Sequence, residues 1–244
     1  MKRKINPFWV LYSYIICFPL SIVYTAFTSI VTIVMVALGM RAERLNTFVK
    51  LWAKVLCFLA LSAVRVEGRN NIDPQKSYIF ISNHQGNYDI FSIYGYLPNR
   101  FAWIMKEELR KVPLVGKACA SLGHVFINRS SKMKSMQSLQ KAEQILKGNN
   151  TSVVLFPEGT RTSTGKVGMF KRGAFFMARD LHMPIVPMSL NGSFKVMPKG
   201  CWWIVPHSIV LTFHKPIDTE ELTQDNMQEY IDRIHEMIRN DVEE

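Results

Sequence analysis

The sequence predicts an α/β fold: a mixed, largely buried sheet flanked by helices and preceded by an N-terminal hydrophobic helical membrane anchor. Two observations carry this. After Arg65, short β-rich runs punctuated by Gly, Pro and Asn alternate with helical runs, and such alternation builds a sheet covered on both faces. Before it, the stretch from Ile5 to Met40 contains no charged residue. Residues 1–64 are therefore read as a membrane-anchoring helical segment and residues 65–244 as one domain, with no internal repeat or linker.

The uncharged stretch is bounded by Lys2-Arg3-Lys4 and by Arg41 and Arg44. It is longer than the apolar core of a cleavable signal and lacks a small-residue cleavage site. As one helix it would reach ~54 Å, against a hydrocarbon core of about 30 Å. Pro19 lies within it and is expected to kink or break the helix. Basic residues at both ends favour keeping both on the cytoplasmic side. A hairpin or re-entrant pair of helices is thus preferred over one tilted span. Phe48–Val64 follows as another apolar helix; Lys50 and Lys54 share a face that suits either lipid headgroups or the edge of a core.

The strands read from the sequence are Tyr78–Ser82, Val125–Ile127, Ser152–Phe156, Ile185–Ser189 and Ile209–Phe213. Helical runs are Lys132–Leu146, Gly173–Leu181 and a polar final helix near Asn226–Asn240.

Charge is unevenly spread. The net charge is +11, yet Asp218 to Glu244 holds ten acidic and two basic residues, which leaves a strongly basic body. Such a body attracts polyanions, whether lipid, phosphorylated substrate or nucleic acid. Four scattered cysteines without a CxxC pair argue against a disulfide framework or zinc site and fit a reducing compartment.

Two clusters carry chemistry. Asn83-His84-Gln85-Gly86-Asn87-Tyr88-Asp89 directly follows a predicted strand, where α/β sheets place ligands. Residues five apart on a regular helix point about 140° away from each other, so His84 and Asp89 meet only if the chain turns at Gly86-Asn87. If they meet, Asp89 orients the imidazole and leaves its other nitrogen to accept a proton. On spacing alone, a surface histidine and a helix-starting aspartate that never touch are the simpler arrangement. The second cluster, Phe156-Pro157-Glu158-Gly159-Thr160-Arg161, also follows a strand and leads to Gly165, Gly168 and Phe170-Lys171-Arg172-Gly173. Glycines with Arg and Lys can wrap an anion. A P-loop is excluded, since five residues separate Gly159 from Gly165 and Val167 stands where Ser or Thr would bind magnesium.

Together these clusters resemble the glycerophospholipid acyltransferase family, and within it the 1-acylglycerol-3-phosphate acyltransferases. The resemblance runs from about Val66 to Pro216. It is carried by Asn83-His84 with Asp89, Gly123 through Arg129, Phe156 through Arg161, and Ile185-Val186-Pro187, with Lys106, Pro113 and Gly116 as a further block. It implies the glycerolipid acyltransferase fold, and a fatty acyl group passing from acyl-CoA or acyl-carrier protein, as co-substrate, to the sn-2 hydroxyl of lysophosphatidic acid. His84 would be the general base and Asp89 its orienting partner. Arg161, Arg129 and Lys106 would hold the acceptor phosphate, with Glu158, Gly159 and Thr160 also at the substrate. Glu158 would position Arg161 or the acceptor, and backbone donors near Gly159 would face the oxyanion. No acyl-enzyme, cofactor or metal is implied. The expected location is the cell membrane with the site on the cytoplasmic face, among membrane lipids, and no nucleic acid is an expected partner.

Two departures from the family pattern stand out: Gly86 where serine is frequent, and Thr162 where serine is common. Among the other histidines, His124 is expected to be a satisfied structural residue, and His182, His207, His214 and His235 lack acidic partners at ligand spacing. Trp202-Trp203 suits an interfacial belt or the core equally. The competing functions are an acyltransferase for another lysophospholipid, a lipid ester or thioester hydrolase using the same pair, and a basic membrane-tethered binding protein.

Overall fold

The structure, a computed structural model, describes residues 6–128, 133, 137 and 151–243. Arg129 and, apart from residues 133 and 137, the expected helix Lys132–Leu146 lie outside the described residues.

The chain begins with helix α1, Pro7–Ala37, long and apolar enough to cross a membrane by length and composition. Asn6 caps it, its Oδ1 accepting from Phe8 N at 3.0 Å, and Pro7 sits where a missing N–H costs nothing. The expected break at Pro19 does not occur. A π-turn, Ser13–Cys17, immediately precedes the proline-bearing segment Phe18–Ala37. Its wider winding accommodates a residue that lacks an N–H and crowds the preceding turn. The hairpin instead turns at residues 38–45 and returns as α2, Asn46–Leu59. Trp52 Nε1 donates to Thr25 Oγ1 at 3.0 Å and Tyr12 Oη to Leu59 O at 2.9 Å, so the two helices run antiparallel. Phe8, Leu11, Ile15, Ile22, Val23 and Phe27 are exposed along α1. The lysines of α2 fold back onto the protein: Lys50 Nζ donates to Pro98 O at 2.8 Å and Lys54 lies over the Tyr96 ring.

Among the described residues the sheet has seven strands: β1 Val64–Glu67, β2 Ile79–Ser82, β3 Phe101–Lys106, β4 Val125–Ile127, β5 Ser152–Leu155, β6 Ile185–Asn191 and β7 Ile209–Phe213. Their order is β1-β7-β6-β2-β5-β3-β4. All pairings are parallel except β6 with β7, so the sheet is mixed, as expected. β1 and β3 were not anticipated; the expected α2 ran on into Val64.

Helices cover both faces. They are α3 (Tyr88–Tyr96), α4 (Val115–Ser121), α5 (Gly173–Asp180), the short α6 (Ser193–Val196) and α7 (Met227–Asp241). Strand alternation sorts the core into two layers. Phe80, Val186 and Met188 pack with Val49, Ala53 and Ile93 on the α2–α3 side. Ile79, Ile81 and Ile185 pack with Phe175, Ile234 and Ile238 on the α5–α7 side. Each such buried Val, Ile, Met or Phe side chain contributes about 1.5–3 kcal/mol. The five parallel neighbours β6, β2, β5, β3 and β4 send their C-terminal ends to one edge, which carries the site.

Candidate active site

The site begins where β2 stops. Asn83 is buried, and its side chain continues the ladder to β6: Nδ2 donates to Leu190 O and Leu190 N donates to Oδ1, both at 2.8 Å. The backbone is thereby held while it leaves the strand. Glu158, from the loop after β5, accepts from His84 N at 2.7 Å, and Thr162 N donates to His84 O at 2.9 Å. His84 is thus pinned on both sides before its ring is considered.

The turn at Gly86-Asn87 brings Asp89 back to that ring. Asp89 Oδ2 lies 2.7 Å from His84 Nδ1 and also accepts from Gln85 N at 2.7 Å and Gly86 N at 2.9 Å. The carboxylate is buried in the first turn of α3, where amide donors and the helix N-terminus favour negative charge. An ionised carboxylate can only accept, so Nδ1 is the donor in this bond and Nε2 is the ring nitrogen left to face another group. No hydrogen bond engages Nε2 among the described residues. From another direction Phe156 stacks on the ring, centroids 3.9 Å apart and planes 7° from parallel, and Trp103 stacks behind Phe156.

Glu158 does not reach Arg161. Its Oε1 takes His84 N and its Oε2 takes Gly168 N at 3.0 Å, so both oxygens brace loop backbone. Burial raises its pKa, and the two backbone donors offset only part of that rise. Arg161 is oriented by Asn87 instead, Nη1 donating to Asn87 Oδ1. Gly159 holds a left-handed conformation, φ +73°, and its N–H closes the turn onto Phe156 O at 3.0 Å, so that N–H does not face an oxyanion. Lys171 Nζ occupies the space beside Gly159, only 2.9 Å from where a β-carbon there would sit. Thr160 is exposed and receives a hydrogen bond from Lys199 Nζ at 3.2 Å. Lys106 ends β3 at the same sheet edge, exposed and 3.9 Å from Glu108. Among the described residues, none of Arg161, Lys171 and Lys199 forms an ion pair.

An apolar groove of about 700 Å³ adjoins this cluster, with Asn87 and Tyr88 in its wall beside Phe18, Ile22, Val112 and Trp202. A second cavity of about 290 Å³ shares Thr25, Ile90, Phe91 and Val115 with it and has His124 in its wall. His124 is satisfied on both nitrogens. Nδ1 accepts from Trp103 N at 3.2 Å and Nε2 meets Tyr94 Oη at 3.0 Å, while burial pushes its pKa down to about 4.

Sequence reading did not foresee the partners of Asn87, Phe156, Lys199 and Glu158. Asn87 had looked like a turn residue only, and no spacing rule connects it to Arg161. Among the described residues, no group of three or more His, Cys, Asp or Glu could hold a metal ion.

The profile of the family described as Acyltransferase matches residues 63–191. The chain is 32% identical over 181 residues to a 1-acyl-sn-glycerol-3-phosphate acyltransferase of Limnanthes alba, covering 74% of this chain and 64% of that protein. It is 32% identical over 208 residues to a protein of the same name from Saccharomyces cerevisiae, covering 79% and 66%. The chain thus spans just under two thirds of the length of these relatives. The crystal structure of the 1-acyl-sn-glycerophosphate (LPA) acyltransferase of Thermotoga maritima superposes with a TM-score of 0.80 at 29% identity, covering 97% of this chain and 94% of that one.

Proposed function

The chain belongs to the acyltransferase family, and from that premise we propose that it transfers a fatty acyl group from an acyl thioester to the sn-2 hydroxyl of 1-acyl-sn-glycerol-3-phosphate, giving phosphatidic acid. One observation carries the reading: Asp89 takes Nδ1 of His84 and leaves Nε2 without a hydrogen bond among the described residues, on a turn whose Asn87 and Tyr88 line an apolar groove.

His84 Nε2 removes the hydroxyl proton as that oxygen attacks the thioester carbonyl. Asp89 stabilises the imidazolium that forms and keeps the ring in place. The tetrahedral intermediate expels the thiolate, which takes the proton back from Nε2. The acyl group moves directly, without a serine or cysteine ester, and no cofactor enters. Arg161, held by Asn87, offers its fork to the acceptor phosphate, with Arg129 and Lys106 as further cations. The apolar groove suits an acyl chain, since hydrocarbon entering it leaves water. The donor is a thioester on coenzyme A or on acyl-carrier protein.

Residues 1–64 anchor the protein to the membrane and residues 65–244 form the catalytic domain. The exposed apolar side of α1 supports this, and the basic residues flanking it favour a site on the cytoplasmic face. The two parts are knit together: Ser13 Oγ, in the π-turn, accepts from Ile204 N at 2.9 Å.

The test is an assay of the purified, detergent-solubilised protein with labelled oleoyl-CoA and lysophosphatidic acid, alongside oleoyl-acyl-carrier protein, acceptor-free and His84→Ala arms. Acceptor-dependent phosphatidic acid, lost in His84→Ala, is expected. Equal turnover in the variant would remove His84 from the mechanism. Free fatty acid released without acceptor would make the protein a hydrolase.

A further inference from the structure

Position 86 is glycine where the family pattern often has serine, and the structure gives a steric reason. A β-carbon there would lie 2.6 Å from Ser193 O and 3.1 Å from Met197 O, both backbone atoms. The segment following β6 therefore rests directly on the turn between His84 and Asp89. Gly86 and Pro198 form an isolated antiparallel bridge, and Asn87 N donates to Met197 O at 3.1 Å. This seating delivers the next residue, Lys199, to the neighbouring loop, where Nζ donates to Thr160 Oγ1 at 3.2 Å.

The consequence is a pair of cations on one small frame. Arg161 follows Thr160 and is held by Asn87; Lys199 touches Thr160 and follows the residue bridged to Gly86. Lys199 is exposed and forms no ion pair among the described residues. A phosphate monoester carries a charge of about −1.5 to −2 and three acceptor oxygens. One guanidinium fork engages two of those oxygens. The remaining oxygen and charge can take cations beyond that fork, which a zwitterionic or uncharged headgroup needs less.

We propose that Lys199 is a further cation for the acceptor's phosphate, beside Arg161, and selects lysolipids with a phosphomonoester headgroup, and that Gly86 is the residue that admits the segment carrying it. This rests on the acyltransferase reading above. The thioester donor also carries phosphate, so the experiment must vary the two substrates separately.

Steady-state kinetics of wild type, Lys199→Met, Lys199→Arg and Gly86→Ser are measured with lysophosphatidic acid at saturating donor, with donor at saturating acceptor, and with 1-monoacylglycerol as the uncharged acceptor. Lys199→Met is expected to raise KM for lysophosphatidic acid about fivefold, the scale of an exposed charge contact, with kcat within about twofold. KM for the donor and for monoacylglycerol stays put, and Lys199→Arg restores the wild-type value. Gly86→Ser, which pushes the segment away, is expected to weaken the same preference. Should Gly86→Ser fail to fold, the lysine variants still decide. An active wild type whose KM for lysophosphatidic acid is unmoved by Lys199→Met overturns the inference alone. So does a rise confined to the donor's KM. A wild type that does not acylate lysophosphatidic acid overturns the functional reading and this inference with it.

Discussion

Among the described residues two histidine–aspartate pairs occur, and their geometries differ. In the first, Asp89 is fully buried and lies 2.7 Å from Nδ1 of His84, with two backbone amides on the same oxygen. In the second, His214 uses one nitrogen for two partners: Nε2 lies 2.7 Å from Ser189 Oγ and 3.1 Å from Asp241 Oδ2. Asp241 is 37% exposed at the end of α7. Ser189, His214 and Asp241 are the residue types of a hydrolytic triad, yet serine and aspartate crowd the same nitrogen. A base needs its carboxylate on one side and its substrate on the other. The second cluster instead fastens the last helix to β6 and β7. Burial lowers the His214 pKa while Asp241 pulls it up.

Exchanging each aspartate for its amide tests that difference most sharply. In Asp89→Asn the amide oxygen can still accept from the two backbone amides of the turn, while the charge facing the imidazolium is lost. Turnover is expected to fall by ~10²–10⁴. Asp241→Asn removes a half-exposed partner and is expected to change kcat by less than about twofold. Comparable losses in the two variants would erase the distinction.

The two pairs also differ in how readable they were. His84 and Asp89 lie five residues apart, and a glycine-containing turn between them is visible in the sequence, as is the surrounding motif. His214 and Asp241 come from the end of a strand and the end of a helix 27 positions later, and nothing local announces their meeting. The same holds for Asn87 with Arg161, Phe156 with His84, and Lys199 with Thr160. Strands behaved similarly. β2, β4, β5, β6 and β7 were legible because their apolar runs are bounded by turn residues. β1 was missed because it is an edge strand whose Arg65 and Glu67 face outward and pair with each other, so only two apolar residues mark it. Pro19 misled for a related reason: its cost in a helix is real, but a π-turn one step earlier absorbs it.

A third histidine sharpens the contrast by having no acid at all. His124 is buried and neutral, with a pKa near 4 against about 6.5 in an unfolded chain. Between these values the unfolded state binds the proton that the folded state refuses, so stability falls as pH drops from about 6.5 to 4 and is fully present above that window. The linked loss is at most ~3 kcal/mol. Denaturant unfolding of wild type and His124→Gln at pH 7 and pH 4.5 should show a smaller pH-dependent loss in the variant. Equal losses would mean that His124 is protonated in the fold.

The smallest expected effect belongs to Ser189. Its hydroxyl is buried and its bond to His214 is short, but His214 retains Asp241 when the hydroxyl is removed. Ser189→Ala therefore loses one hydrogen bond without stranding a charge, a cost of about 1 kcal/mol. In a chain of this size that lowers Tm by roughly 2–4 °C, with kcat and KM unchanged. If acylation collapsed while Tm held, Ser189 and His214 would be acting on substrate, and the geometric rule separating the two pairs would fail. A shift in Tm alone leaves His84, with its unshared nitrogen, as the histidine equipped to move a proton.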